Sequence, residues 1–198
     1  MNTFTSYLRQ FGTAFRLLIA ATVVLGLGYP AVVWGIGQLA FPNQANGSIV
    51  SVNGQQAASS LIAQSPKDGL GPEWFHPRPS AVNWDPASSR ASNLGPNDPK
   101  LAESIETLRA QIAEDENVSE SKVPMDALTA SGSGLDPQIS LAYAQLQIPR
   151  IADKTGLSET ALQDLVSKNT TSELESLLGQ QSVNVTKLNI DLAAAVKK

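Results

Sequence analysis

Leu17-Leu-Ile-Ala-Ala-Thr-Val-Val-Leu-Gly-Leu-Gly-Tyr-Pro-Ala-Val-Val-Trp-Gly-Ile-Gly-Gln-Leu-Ala40 is the stretch that decides how this chain is organised. Its 24 residues carry no charge. A helix needs about 20 such residues to cross a bilayer core of about 30 Å. The charge-free interval is wider still, running from Arg16 to Lys67. Beyond Phe41 the composition becomes that of a water-soluble domain. The chain therefore reads as an N-terminal segment over 1–16, a transmembrane helix over 17–40 and one domain over 43–198.

Charge sets the expected orientation. Arg9 and Arg16 precede the span, and no acid stands before Asp68. Basic flanks stay cytoplasmic, so the domain is expected outside, in the periplasm or extracellular space. The rival reading is a cleaved signal peptide, whose apolar region runs about 7–15 residues before a small-x-small site. The run here is longer, and Asn43-Gln44-Ala45 is a poor cleavage site.

Within the span, Gly28, Ala31, Gly35 and Gln38 recur at i, i+3, i+7 and i+10. Small residues on one face let a second helix approach closely, which matters in lipid, where no hydrophobic drive pairs helices. The plainer alternative is that glycine is common in such spans. Pro30 predicts a kink.

The 156 residues of the outer part suffice for one buried core. They hold 12 bases against 18 acids, net −6, which argues against nucleic acid. Cysteine is absent and His76 is the only histidine. Thiol catalysis, disulfides and Cys- or His-rich metal sites are thereby excluded.

The expected fold class is α+β, several short helices packed with a few short strands and joined by Pro/Gly-rich loops. Ile49-Val50 and Leu61-Ile62 read as short strands or as part of a tether. Seven prolines between Pro66 and Pro99 forbid long helices there. Trp74, Phe75 and Trp84 among them point to a packed, ordered loop. Asp98 caps a helix with Pro99 in its first turn, and Leu101, Ile105, Leu108 and Ile112 give it an apolar stripe. The acidic run Glu114–Glu116 closes it. Asp136-Pro137 reads as a second cap-plus-proline start, and Pro149 should kink or end that helix. Ser158 caps a third, stapled by Leu157 and Leu162. Thr170 and Glu173 form a capping box for a fourth, carrying Leu174, Leu177 and Leu178 and closed by Gly179. Val183-Asn-Val185 reads as a strand, and Leu188, Ile190 and Leu192 either extend it or begin a last helix.

Chemical motifs are mostly negative. Ser131-Gly132-Ser133-Gly134 lacks the Gly-Lys-Ser/Thr of a phosphate loop, and a tight turn accounts for it. His76 with Ser131 or Ser133 and Asp136 would supply the residue types of a hydrolase triad, yet no Gly-x-Ser-x-Gly elbow exists. Asp126 and Asp136 fit capping or solvated roles better than acid–base chemistry. Arg78 and Arg150, beside prolines, suit either recognition of a carboxylate or bridging of the domain's own loops. Asn46, Asn117 and Asn169 match the short glycosylation pattern.

Longer blocks go further. Trp74-Phe-His-Pro-Arg-Pro-Ser-Ala81, Ser92-Asn-Leu-Gly-Pro96, Val123-Pro124, Thr129-Ala-Ser-Gly-Ser-Gly-Leu-Asp-Pro-Gln-Ile-Ser140, Gln147-Ile-Pro-Arg-Ile-Ala152, Val183-Asn-Val185 and Leu188-Asn189 follow one another in the order of a known family. Together with the anchor they resemble the C subunit of the Kdp-type potassium-transporting ATPase over nearly the whole chain. One departure is Gly95-Pro-Asn-Asp-Pro99, where the family usually has Gly-Pro-Ser-Asn-Pro. A capping side chain still precedes the proline.

The resemblance implies a non-catalytic, single-pass subunit of a bacterial inner membrane complex. Its partners would be the other members of the Kdp complex, together with lipid. These are a channel-like potassium subunit, a P-type ATPase subunit, and a small membrane peptide. The family's C subunit is required for assembly and activity, and is proposed to act as a catalytic chaperone that raises the ATP affinity of the P-type ATPase. ATP is the only cofactor the resemblance brings; no metal or covalent group is expected. An outward domain pulls against that proposal, because no cytosolic ATP reaches it. Partner contacts are expected at Gly28, Ala31 and Gly35 in the helix. In the domain they are expected at His76, Arg78, Asn93, Ser131, Gly132, Ser133, Gly134, Asp136 and Arg150. A stand-alone anchored hydrolase or binding protein is the alternative.

Overall fold

The computed structural model describes residues 3–52, 55–65, 70–177 and 179–196. The chain divides into two compact units, residues 1–48 and 49–198.

The first unit is dominated by one continuous helix, Thr3–Ala40, long and apolar enough to cross a membrane. It comprises α1 (Thr3–Ala21), a π-helical segment (Thr22–Gly28) and α2 (Tyr29–Ala40). The π segment is how the helix accommodates Pro30. That residue has no N–H for the carbonyl four residues back, and its ring crowds the preceding turn. The widened turn ahead of it relieves the clash, and Tyr29 N–H bonds the Val24 carbonyl instead. A short helix, α3 (Pro42–Ala45), follows, and Asn46 Nδ2 donates to Gln38 Oε1 at 3.1 Å.

The second unit is α+β, as its sequence predicts. A hairpin of β1 (Ile49–Val52) and β2 (Gln55–Ser59) opens it. Leu61-Ile62 lies in the turn after β2 rather than in a strand. The Pro-rich segment 70–97 forms no helix or strand. Then comes α4 (Pro99–Asp115), capped by Asp98, whose carboxylate accepts from Lys100 N–H at 2.9 Å. A 3₁₀ turn (Glu120–Lys122) and the four-residue α5 (Met125–Leu128) lead to β3 (Gln138–Ser140). Helices α6 (Leu141–Thr155), α7 (Glu159–Lys168) and α9 (Val185–Val196) enclose the core together with α4, with α8 (Glu173–Ser176) and β4 (Ser182–Asn184) between α7 and α9. Strand β3 pairs antiparallel with β4, Ile139 opposite Val183. Leu162, Val166, Leu188, Leu192, Ile151 and Phe75 are fully buried together.

Five features differ from the sequence reading. Asp136-Pro137 does not start a helix. The Asp136 carboxylate accepts from Gln138 N–H in a local turn, and α6 begins after Ser140, whose hydroxyl caps it by accepting from Tyr143 N–H. Pro149 neither ends nor breaks α6, which runs on to Thr155. Pro149 and Gln145, the residue whose carbonyl it leaves unpaired, are both exposed, so the freed group is open to solvent. The capping box is Ser172 with Glu175 rather than Thr170 with Glu173. Thr170 is bridged to Val183 instead, and its hydroxyl back-bonds to the Val166 carbonyl. Helix α8 ends at Ser176 with Leu177 as its C-cap rather than at Gly179, and Leu178 lies outside the described residues. Finally, β4 stops at Asn184, and Val185 begins α9, which contains Leu188, Ile190 and Leu192.

Candidate partner-facing site

The Pro-rich segment is ordered because the core grips it at three points. Phe75 is fully buried. Its backbone N–H donates to Asn189 Oδ1 at 2.9 Å, and Asn189 Nδ2 donates to the Phe75 carbonyl at 2.8 Å. One residue on, His76 makes the same reciprocal pair with the buried Gln147, at 2.6 and 3.2 Å. A side-chain amide matches a backbone unit in both donor and acceptor. These two amides thus do for a loop what a neighbouring strand does in a sheet.

Arg150 is the third grip. It sits on α6 one turn after Gln147. Nε donates to Glu116 Oε1 at 3.0 Å, with both side chains under a tenth exposed. Nη1 donates to the carbonyls of Pro72 and Trp74, and Nη2 to Gln147 Oε1. Of the two readings left open for Arg150, the structure shows the bridge within the domain. Burial raises the Glu116 pKa, and the Arg150 charge and hydrogen bond work against that rise. The second carboxylate oxygen of Glu116 is buried without a hydrogen-bond partner among the described residues. Burial first, then the Arg150 charge, holds the His76 imidazole below its ordinary value. Its Nε2 lies 3.2 Å from the Gly71 carbonyl.

Beyond these grips, two loops are stitched together. The Ser80 hydroxyl donates to the Gly134 carbonyl at 2.6 Å and accepts from the N–H groups of Val82 and Trp84. Ser131 N–H donates to the Pro79 carbonyl. Arg78 reaches the carbonyls of Thr129 and Ala130 and pairs with Asp136 at 3.5 Å. Asn83 and Trp84 both hold left-handed backbone, φ 52° and 54°, unusual for a residue as bulky as tryptophan. The Trp84 indole N–H fixes that turn by donating to the Arg78 carbonyl at 3.0 Å. Asn93, φ 55°, is exposed.

A cavity of about 860 Å³ opens between these loops and α4. Leu101, Leu108 and Ile112 line one wall, and Pro77, Pro79 and Trp84 the other. The stripe read from α4 is therefore not fully buried, because it faces a recess. Its walls are mostly apolar, with Lys100, Glu103 and Asp115 of α4 also in the lining, a mixture usual for a binding surface.

The triad reading finds no geometry. His76 bonds to Gly71 and Gln147, Asp136 pairs with Arg78, and the Ser131 hydroxyl accepts from Asp136 N–H at 3.4 Å. No hydrogen bond joins His76 to either serine among the described residues. Sequence reasoning missed Ser80, Gln147 and Asn189. Only Gln147 left a signal: it stands between Tyr143 and Ile151 at helical spacing, a polar residue on an apolar face.

Two glycines of the 131–134 loop differ. Gly134 has φ +70°, and a Cβ there would meet Val82 Cγ2 at 2.7 Å and the Arg90 carbonyl at 2.9 Å. Gly132 is exposed, and a Cβ there would meet nothing within 4 Å. The left-handed backbone that calls for glycine is at Gly134, not at Gly132. Gly134→Ala is expected to lower stability by roughly 2–4 kcal/mol, from left-handed strain plus the collision. Thermal unfolding of the full-length protein in detergent measures this. A variant that melts with the wild type would show the loop relaxing freely.

A family model described as "KdpC: K+-transporting ATPase, c chain" matches residues 11–194. The chain is 44% identical over 193 residues to the potassium-transporting ATPase KdpC subunit of Kineococcus radiotolerans, covering 96% of both chains. It is 44% identical to that of Caldanaerobacter subterraneus over 184 residues, 92% of this chain and 94% of the relative. It is 40% identical to that of Mycobacterium tuberculosis over 187 residues, 93% and 97%. Matched from within its first helix to its last, the chain belongs to the KdpC family of K+-transporting ATPase c chains.

Proposed function

We propose that the chain is a non-catalytic, single-pass subunit of an ATP-driven potassium uptake pump, needed for its assembly and activity. The observation that carries this is family membership along almost the full length. Its partners are the channel-like component, the ATPase component and the small membrane peptide of that pump.

Segment 1–16 lies on the cytoplasmic side, the apolar run 17–40 spans the membrane, and the 49–198 unit faces outward. The support is Arg9 and Arg16 before the span, with no acid near them. A cysteine replacing the exposed Ser88 should react with an impermeant thiol reagent on intact cells, against a background free of native cysteine. Labelling only after lysis would reverse the orientation and restore a cytosolic role at the nucleotide.

In this arrangement the chain does not bind ATP through the Ser131–Gly134 loop. Its N–H groups at Ser131 and Gly134 are spent on Pro79 and Ser131 carbonyls, and the loop holds no lysine. The loops around Arg78 and Ser131–Asp136 instead form the surface that meets the pump. Their internal bonds hold the backbone before association, which lowers its ordering cost. Small residues at Gly28, Ala31 and Gly35 pack against a partner helix.

Gly132→Trp tests the surface directly, because it adds bulk outside the loop without an internal collision. Assembly should weaken roughly tenfold, a loss of about 1.4 kcal/mol. Potassium-stimulated ATP hydrolysis of the co-purified complex should fall with it, while the melting temperature holds. Full activity with tryptophan at this tip would remove the loop from the interface.

A further inference from the structure

The helix Thr3–Ala40 is too long for the span alone. Its 38 residues extend about 57 Å, against a bilayer core of about 30 Å. The excess lies at the N-terminal end, where α1 begins at Thr3, well ahead of the apolar run that opens at Leu17. Its first turns are strongly two-faced. Phe4, Leu8, Phe11 and Phe15, flanked by Tyr7, fall within about 100° of one another at about 100° per residue. All five are more than half exposed, and the rings of Phe11 and Phe15 stack at 6.4 Å. Thr5, Ser6, Arg9, Gln10, Thr13 and Arg16 make up the other face. Arg9 and Arg16, two turns apart, point the same way, and the chain holds no acid before Asp68 to neutralise them.

A helix continuing straight out of the bilayer would hold this aromatic face in water. Covering five large apolar side chains is worth several kcal/mol, so the segment has a strong reason to turn. The helix also offers a place to do so. Gly12 weakens it inside the aromatic segment, between Phe11 and Phe15, and the Thr13 hydroxyl back-bonds to the Arg9 carbonyl at 3.0 Å, a contact that bends helices.

We infer that residues 3–15 form an interfacial foot. The segment lies along the membrane surface with its aromatic face at the acyl boundary, and Arg9 and Arg16 bind the phosphates of anionic phospholipid headgroups. An aromatic face opposite a purely basic one is the pattern of helices that rest in the interface. This rests on the membrane-spanning reading of the apolar run.

The test uses full-length protein in vesicles of phosphatidylcholine with about one quarter phosphatidylglycerol, an anionic lipid. The chain has no cysteine, so single nitroxide labels go on cysteines replacing Phe4 and Phe11, Ser6 and Thr13, and Leu27 within the span. Oxygen and a water-soluble nickel chelate report the depth of each label. The foot places Phe4 and Phe11 at one shallow depth, with Ser6 and Thr13 open to nickel. A straight helix separates Phe4 from Phe11 by about 10 Å in depth, which would overturn the inference. So would both labels standing in water, or both being shielded from either reagent, the mark of a protein contact. Removing phosphatidylglycerol should raise nickel access at Phe11 roughly twofold, as the electrostatic attraction is lost. The Arg9→Gln, Arg16→Gln pair should abolish that lipid dependence; its persistence would refute the phosphate contact. A shallow Leu27 label would instead remove the span itself, whatever the first turns do.

Discussion

Arg150→Ala is expected to destabilise the 49–198 unit by about 3–5 kcal/mol, since removing one partner of a buried ion pair leaves the other charge uncompensated. In a unit of this size that lowers the melting temperature by roughly 10 °C. Three losses coincide. Glu116 keeps a buried carboxylate with neither oxygen satisfied. The carbonyls of Pro72 and Trp74 lose their donor. Gln147 loses one bond of its set. Arg150→Lys should recover little, because an ammonium cannot direct donors along three fixed lines as the guanidinium does. Replacing both Glu116 and Arg150 with leucine should be milder than Arg150→Ala, because it removes the orphaned charge. Unfolding of the full-length protein in detergent, followed by tryptophan fluorescence at Trp74 and Trp84, reads all three. A melting temperature within about 2 °C of wild type for Arg150→Ala would show that the pair is hydrated.

Phe75→Ala should cost about 3–5 kcal/mol on its own, as for large aromatics cut back in a closed core. The side chain is fully buried in one cluster with Leu188, Leu192 and Ile151. It is also the fully buried residue that the Pro-rich segment contributes to that core, so its loss has a local signature. Helices α6, α7 and α9 should persist while segment 70–97 becomes protease-sensitive. Cleavage confined to that segment, roughly tenfold faster than in wild type, is the expected result of such local opening. Uniform digestion would show that the loop and the helices melt together. Protection equal to wild type would show that the Asn189 and Gln147 amides suffice without the ring.

The parts legible in the sequence are those fixed by neighbours in the chain. Asp98-Pro99 and Ser158 cap their helices as expected, because a cap bonds two or three residues away. The long uncharged run needs only length and composition. The sequence misleads where two local signals compete and a distant contact chooses between them. Thr170 and Ser172 each stand three residues before a glutamate. The pairing of Thr170 with Val183 takes it out of contention. Asp136-Pro137 imitates a helix start, but the β3–β4 pairing holds residues 138–140 extended. Pro149 passes inside a helix only because its face is wet. The candidate surface is legible as a set of loops but not as a bonding scheme. Arg78 and Arg150 suit either an outward role or a bridge between the domain's own loops, and what they bond are carbonyls 51 and 76 residues away. No spacing rule reaches that far.

The grips on the Pro-rich segment also impose an order of events in time. Phe75 is tied to Asn189 across 114 residues, and the Ile62 and Ser60 carbonyls are tied to Thr186 and Asn184 across 124. During synthesis the early part of the domain is complete long before its partners on β4 and α9 exist. Chain closure over such distances is slow as well as late. The nascent domain must therefore wait with its aromatic loop held at most by Gln147 and Arg150 of α6 until α9 arrives. Its vulnerable interval, to proteases or to aggregation, is set by the arrival of α9.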